Sequence, residues 1–135
     1  MKVDILAIGA HPDDVELGCG GTLAKLISEG KKVAIIDLTE GELGTRGTAD
    51  TRKEEAANAA KILEVSAREN LKMKDGFLQN SEEYQLRIIK MIRKYQPEIV
   101  FANAIDDRHP DHAKAAKLAS DACFLSGLIK IKTLD

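Results

Sequence analysis

The segment KVDILAIGAHPDDVELGCGG, residues 2–21, changes from an apolar run to a cluster of charged side chains and then to glycines. Its first part, Lys2–Gly9, is short and almost continuously apolar, which is typical of a strand buried on both faces. The cluster that follows holds one histidine and three carboxylates: His11, Asp13, Asp14 and Glu16. Carboxylates this close repel one another unless a cation, a proton or a helix N-terminus offsets them. The segment therefore predicts a buried strand whose end carries a binding site.

The alternation of apolar strands with helical patterns continues along the chain. Strands are predicted at Lys2–Gly9, Lys32–Thr39, Glu69–Met73 and Glu98–Ala104. Helices are predicted at Gly20–Glu29, at Thr51–Leu63, after the capping residue Ser81 as far as Tyr95, and from Pro110 onward. Gly18, Gly20 and Gly21 are expected to allow a sharp turn between the first strand and its helix.

This alternation predicts an α/β fold with a doubly wound, mainly parallel sheet. In the expected strand order 3-2-1-4, strands one and four are neighbours. Ligands bind such sheets in the crevice between the carboxyl ends of the strands where the order reverses. The segments after strands one and four are therefore expected to form one site.

The composition is that of one globular domain. The 135 residues are 44% apolar and 31% charged, with a net charge of -2, so neither a nucleic-acid surface nor an anionic membrane is expected as a partner. No apolar run approaches the roughly 18 residues of a membrane span. Cys19 and Cys123 have no framework spacing and are expected to be buried thiols in a reducing cytoplasm.

The three histidines of the chain all lie in the two segments that follow strands one and four: His11, His109 and His112. An isolated histidine is more often a hydrogen-bonded bystander than a ligand. That explanation would have to hold three times here, and it does not say why no histidine occurs elsewhere. A shared metal site is the simpler interpretation.

Imidazole and carboxylate donors suit zinc or another divalent transition metal, including ferrous iron. His11 and Asp14 are close enough in sequence to bind one ion after a turn, and His112 can supply a third ligand. Three protein ligands and an open position are typical of catalytic zinc, which lowers the pKa of bound water to about 7. Asp13 is then the expected general base.

The remaining polar residues have two interpretations each. His109, as an imidazolium, is expected to stabilise an oxyanion or protonate a leaving group, with Asp111 holding its ring nitrogen. Asp111 alternatively complements the positive end of the last helix. Glu16 is expected to fix the loop or hold a backbone amide rather than to act in catalysis.

Two segments resemble one protein family. AHPDDVELGCGGTL, residues 10–23, and DRHPDH, residues 107–112, are similar to motifs of the PIG-L/LmbE-like zinc-dependent N-acetylglucosaminide deacetylases. TEGELGTRGTADTRKEEA, residues 39–56, resembles the branch that removes acetate from N-acetylglucosaminyl malate in bacillithiol biosynthesis. The resemblance spans residues 3 to 120 and implies a Rossmann-like three-layer α/β/α fold.

The resemblance also implies amide hydrolysis by a bound metal, with no further cofactor. Carried onto this sequence, the family pattern makes His11, Asp14 and His112 the metal ligands and Asp13 the general base. It makes His109 the acidic partner, which Asp111 orients. A family arginine that contacts the sugar or its substituent matches Arg52. Arg46 and Arg108 are further candidates for an anionic substituent such as malate, and the alternative for each arginine is a solvated surface charge.

Family members are considerably longer than this chain. Residues 1–135 are therefore expected to form a single deacetylase domain that corresponds to the N-terminal portion of the family fold. The C-terminal part of that fold is expected to be missing, and the full-length form is expected to be a homo-oligomer acting on a small amino-sugar substrate.

Three rival functions remain at this point. A nucleotide-binding domain is disfavoured because Leu23 occupies the third glycine position of G-x-G-x-x-G, and no Walker motif occurs. A metal-dependent phosphoesterase would use a similar Asp and His cluster but commonly holds two ions. The third rival is a noncatalytic, truncated domain that binds metal or partners without turnover.

Overall fold

The computed structural model describes residues 1–133, in which four strands and four helices alternate. The strands are β1 (Ile5–Gly9), β2 (Val33–Thr39), β3 (Ala67–Met73) and β4 (Ile99–Phe101). The helices are α1 (Asp14–Ser28), α2 (Ala49–Leu63), α3 (Glu82–Tyr95) and α4 (Pro110–Leu125). The strands form one parallel sheet in the order β3-β2-β1-β4. The predicted α/β class and strand order are confirmed.

The two central strands are buried on both faces, as their continuous apolar sequences predict. Successive side chains point to opposite faces, so Leu6 and Ile8 pack in one cluster while Ile5 and Ala7 pack in the other. The first cluster includes Ile88 of α3 and Leu118 of α4, and the second includes Leu23 of α1. Helices therefore cover both faces, and the fold has three layers.

The entry into α1 differs from the prediction. Helical structure begins at Asp14 rather than Gly20, but a kink at Cys19 divides it into two segments, and the second begins at the predicted Gly20. Gly18, Gly20 and Gly21 flank this kink and do not form the turn after β1. The turn is made by Asp13, whose φ is 102°, and acidic residues in the first turn favour the helix N-terminus. Cys19, with φ -147°, interrupts the regular helical geometry among the glycines.

The sheet is asymmetric at its two edges. β4 pairs with β1 through three residues only, Ile99–Phe101, which is shorter than the predicted Glu98–Ala104.

The prediction of two buried thiols is wrong for Cys123, which is exposed on α4, while Cys19 is half-buried. Within residues 1–133, none of the helices has the length and apolar character that crossing a membrane requires.

Candidate metal centre

The sheet brings the two histidine segments together. β1 and β4 are parallel neighbours, with Ala7 opposite Phe101, so the chain leaves both strands at the same edge. His11 follows β1, and His112 lies in the first turn of α4, which follows β4. Their ring centroids are 5.3 Å apart although about a hundred residues separate them in sequence. The predicted meeting of the two segments is thus observed.

Three donor atoms form a nearly equilateral triangle. His11 Nδ1 lies 3.4 Å from Asp14 Oδ2 and 3.3 Å from His112 Nε2, and the third side, His112 Nε2 to Asp14 Oδ2, is 3.2 Å. A tetrahedral zinc ion about 2.0–2.1 Å from each ligand would place the ligand atoms about 3.3–3.4 Å apart. These residues therefore fit a divalent metal ion without rearrangement.

Each of the three donors is held by further polar groups. The Nε2 atom of His11 lies 2.9 Å from Asp111 Oδ2 and 3.0 Å from Asp75 Oδ1. The Nδ1 atom of His112 lies 2.8 Å from Asp107 Oδ2. The Asp14 carboxylate accepts a hydrogen bond of 2.9 Å from the backbone N–H of His11, and Asn103 donates to it as well. Such outer contacts fix the ring orientation of metal-binding histidines and raise their basicity.

A second group of possible donors overlaps the first. His11, His109 and Asp111 also place ligand atoms within 4.8 Å of one another. The Asp111 carboxylate, however, already accepts hydrogen bonds from the backbone N–H groups of Gly76 and Leu78. Both groups need the same histidine, and a neutral imidazole offers one lone pair. Within residues 1–133 the geometry thus favours one ion, held by His11, Asp14 and His112.

Protons and a metal ion compete for the His11 ring. Burial alone would lower the pKa of this histidine, but hydrogen bonds to Asp14 and Asp111 and the charge of Asp75 raise it to about 9. Hydrogen bonds from His11 also lower the pKa of Asp14, against the opposing effect of burial. The carboxylate is therefore ready to bind a cation at neutral pH, whereas the ring must first lose a proton.

We expect zinc affinity to keep rising with pH until about 9. Below the raised pKa of His11, binding releases one proton from the ring, so the apparent affinity should fall about tenfold for each pH unit lost. The measurement is competition with a chelator of known proton affinity between pH 6.5 and 9, where 6.5 is the ordinary pKa of a histidine. An affinity that is constant above pH 7 would contradict this expectation.

Asp13 lies beside the triangle but takes no part in it. Its carboxylate makes no capping hydrogen bond to α1, and it is absent from both groups of donor atoms. Burial and the adjacent charge of Asp14 raise the pKa of Asp13, and the charge of Arg52 partly offsets them. An uncommitted carboxylate with a raised pKa next to a metal centre has the properties of a general base.

The predicted contact between the Asp111 carboxylate and the His109 ring is wrong. The backbone N–H of Asp111 donates to His109 Nδ1 at 3.0 Å, so His109 caps α4, while the carboxylate contacts His11 instead. Because Nδ1 accepts this bond, the N–H donor that the ring offers in this arrangement is on Nε2. The ring centroid lies 4.6 Å from that of His11.

The three arginines occupy different surroundings. Arg52 and Arg46 line a cavity of about 320 Å³ together with Asp13 and Pro12. The Arg52 guanidinium is half-buried and packs over Gly41 and Gly44, where added Cβ atoms would collide with it. Arg108 is exposed on the loop before α4 and does not line this cavity. The structure thus brings Arg52 and Arg46 to Asp13 and leaves Arg108 apart from them.

Glu16 holds an arginine rather than the loop or a backbone amide. Arg68 of β3 donates to both carboxylate oxygens of Glu16 and, at 2.8 and 2.9 Å, to both oxygens of Asp37 on β2. Burial raises the pKa of Asp37 to about 6, although the Arg68 hydrogen bonds and charge oppose that shift. This network ties the first turn of α1 to the sheet beneath Asp13.

Four residues of the centre and its support were not predicted from the sequence: Asn103, Asp107, Asp75 and Arg68. Asn103 and Asp107 carried a detectable signal because they follow β4 directly, on the segment that leads to the histidines. Asp75 and Arg68 carried none. Both belong to the β3 region, and their roles depend on the neighbouring strand rather than on local sequence.

The chain was compared with families of known proteins. The family model described as PIG-L, GlcNAc-PI de-N-acetylase, matches residues 6–123, which include every donor in the triangle. The chain belongs to the PIG-L family. The chain spans between about half and two thirds of the length of the curated relatives that match most of it.

Three solved structures share the fold. A conserved protein from Thermus thermophilus is 44% identical with a TM-score of 0.93, over 98% of this chain and 60% of that one. N,N'-diacetylchitobiose deacetylase from Pyrococcus horikoshii is 33% identical with a TM-score of 0.87, over 93% and 51%. A 4-carboxy-2-hydroxymuconate hydratase from Pseudomonas putida KT2440 is 28% identical with a TM-score of 0.82, over 93% and 57%.

Proposed function

We propose that this protein is a metal-dependent hydrolase that removes the N-acetyl group from an N-acetylglucosamine conjugate. The observation that carries the proposal is the uncommitted Asp13 carboxylate beside three donor atoms spaced for one tetrahedral ion. Membership of the PIG-L family and similarity to a diacetylchitobiose deacetylase support the same reaction. Zinc is the proposed metal, and ferrous iron suits the same donors.

A metal ion held by the triangle supplies a Lewis acid that polarises a carbonyl and makes water more acidic. Asp13 takes a proton from the attacking water and returns one to the leaving nitrogen, as general base and then general acid. His109 donates its Nε2 proton in a hydrogen bond to the oxygen on which negative charge develops. The amide bond and water become acetate and a free amine.

The cavity beside Asp13 also contains Glu16 and Glu55, but Glu16 is paired with Arg68, so we propose that its two arginines bind an anionic group of the substrate. Arg52 and Arg46 line the cavity that contains Asp13, and arginine binds carboxylates with two parallel hydrogen bonds. We therefore propose N-acetylglucosaminyl L-malate, the substrate of bacillithiol biosynthesis, as the preferred conjugate. Arg108 could bind the same anion only if its exposed loop moved toward the cavity. A homo-oligomer in the cytoplasm stays a prediction.

Arg52→Ala is expected to raise KM for the malate conjugate about 10- to 100-fold, because a hydrogen-bonded charge pair is lost. The effect on neutral N-acetylglucosamine should be clearly smaller. Steady-state kinetics on both substrates provide the measurement, with Arg87→Ala as control, since Arg87 lies on α3 over the Tyr84 ring. Equal losses on the two substrates would assign Arg52 to the sugar or to the fold rather than to the anion.

Hydration of an unsaturated carboxylate is the second candidate reaction. It is favoured by the similarity to the Pseudomonas hydratase, which shows that this fold also accompanies a reaction without amide cleavage. The two reactions have different products. Hydration consumes a carbon–carbon double bond and loses its ultraviolet absorption, whereas deacetylation releases acetate and a primary amine.

The test is product analysis with zinc-loaded protein. N-acetylglucosaminyl malate, N-acetylglucosamine and an unsaturated dicarboxylate are each incubated with the protein, and acetate, amine and absorbance are followed. Equimolar acetate and amine, fastest from the malate conjugate, are expected. Bound zinc without acetate release would overturn the proposed reaction: loss of absorbance would then favour the hydratase, and no product at all the noncatalytic alternative.

A further inference from the structure

Asp75 contacts both the metal-binding histidine and the loop that follows β2. Its side chain is buried, with 5% of the residue exposed. Its Oδ1 atom lies 3.0 Å from His11 Nε2, and its Oδ2 atom accepts a hydrogen bond of 2.8 Å from the backbone N–H of Leu43. The backbone N–H of Asp75 donates to the Glu42 carboxylate at 3.0 Å. One residue thus joins the metal centre to this loop.

The loop between β2 and α2, residues 40–48, has few other polar attachments. In the described part of the chain, the hydrogen bonds that tie residues 42–47 to another element are the two made by Asp75, since the bond from Gly44 to Gly41 lies within the loop. The Leu43 side chain also packs against Gly76, whose φ is +81° and where a Cβ would lie 2.8 Å from Leu43 Cδ1. The position of the loop therefore depends on the turn that carries Asp75.

The same loop shapes the cavity beside the proposed general base. It carries Arg46, and its Gly41 and Gly44 are covered by the Arg52 guanidinium. A shift of residues 42–47 would move or release both arginines relative to Asp13. The shape of the proposed substrate cavity therefore depends on how well ordered this loop is.

We infer that Asp75 is a positioning residue that couples metal binding at His11 to the order of residues 42–47. With a metal on Nδ1, the Nε2–H group of the ring donates to Asp111 Oδ2, and the Asp75 carboxylate lies 3.0 Å from the same nitrogen as an ion pair. The metal adds positive charge at the ring, which attracts Asp75 Oδ1 more strongly, and the Oδ2 atom of the carboxylate held in this way accepts the hydrogen bond from Leu43. By linkage, an ordered loop must strengthen metal binding by the same factor. The inference rests on the proposed metal site and not on the proposed reaction.

Asp111 provides the matched comparison within the structure. It also contacts His11 Nε2, at 2.9 Å, but its other hydrogen bonds come from Gly76 and Leu78 rather than from residues 42–47. Both carboxylates therefore support the histidine, and only Asp75 reaches the loop. A variant at each position separates support of the metal from coupling to the loop.

The experiment measures backbone hydrogen exchange of residues 40–48 with and without zinc, together with zinc affinity. In the unsubstituted protein, zinc should slow exchange at Leu43 about tenfold, within the range of ordinary coupling between sites. Asparagine at position 75 has one acceptor oxygen and cannot serve both His11 and Leu43. Asp75→Asn should therefore weaken zinc binding about 10- to 100-fold and abolish the zinc-dependent slowing even at saturating zinc.

Three further variants complete the test. Asp111→Asn should weaken zinc binding yet keep the slowing at saturation, and Asp121→Asn, on α4 beside Lys117, should change neither. Glu42→Ala removes the second hydrogen bond between the loop and Asp75 and changes an exposed residue. It should fold and reduce the zinc-dependent slowing, and so it tests the coupling if Asp75→Asn does not fold. No zinc-dependent slowing in the unsubstituted protein, or unchanged slowing in Asp75→Asn, would overturn the coupling. Missing acetate release with the slowing intact would overturn only the proposed reaction.

Discussion

Replacing Asp14 by asparagine is expected to weaken zinc binding more than a substitution at any residue outside the donor triangle. The Asp14 Oδ2 atom is one corner of the donor triangle, 3.4 Å from His11 Nδ1 and 3.2 Å from His112 Nε2. An amide oxygen still accepts the hydrogen bond from the His11 backbone but carries no charge. Because a ligand itself is lost, the decrease should exceed the roughly 10- to 100-fold that outer contacts cost.

The measurement is zinc affinity at fixed pH, followed by metal analysis after gel filtration. Asp13→Asn is the matched control, since it makes the same change of charge and size at the adjacent residue, which lies outside the triangle. Circular dichroism of both variants checks the fold. Equal loss of zinc in the two variants would contradict the assignment of Asp14 as a ligand and Asp13 as an unligated carboxylate.

Asp13→Asn has the second large expected effect, on turnover rather than on metal. General acid–base catalysis contributes about 100- to 10,000-fold, so kcat should fall within that range while KM and zinc content change little. Asparagine is preferred to alanine here because Asp13 has a φ of 102°, a conformation that asparagine tolerates better than most residues. The substitution therefore removes the base without straining the turn into α1.

Steady-state acetate release and zinc content on the same sample test this prediction. A kcat of Asp13→Asn within about twofold of the unsubstituted protein would exclude this carboxylate as the general base, because general-base catalysis contributes far more than that. The pH profile gives an independent check, because the acidic limb that reports ionisation of the general base should disappear in the variant.

Much of the fold was predictable because its signals are local. β1 and β2 are continuous apolar runs, and such runs occur in parallel strands covered on both faces. The strand order agreed with the position of the histidines at a single expected switch point. His11 and His112, near the ends of two strands, are thereby predicted to lie together from the sequence alone.

The start of α1 could not be predicted in the same way. Glycines usually mark turns, yet Gly18, Gly20 and Gly21 lie within the helical range Asp14–Ser28, against their low helix propensity. The aspartate at position 13 makes the turn instead, in a backbone conformation that non-glycine residues seldom adopt. Strain of this kind is often found at functional sites, and sequence patterns do not reveal it.

The polar contacts of the histidine rings could not be predicted from the sequence either. Asp111 was expected to orient His109, as the family resemblance implies. The structure shows that its backbone does so while its carboxylate turns to His11. Asp75 reaches the same ring from the turn after β3, a contact that depends on how the strands are arranged and leaves no local pattern.

Zinc stoichiometry and acetate release, measured together on the metal-loaded protein with N-acetylglucosaminyl malate, test the proposed metal-dependent deacetylation most directly. We predict one zinc ion per chain, held with an affinity that Asp14→Asn destroys, and acetate released in equal amount to the free amine. A chain that binds no zinc, or that binds one ion and releases no acetate, would exclude this reaction.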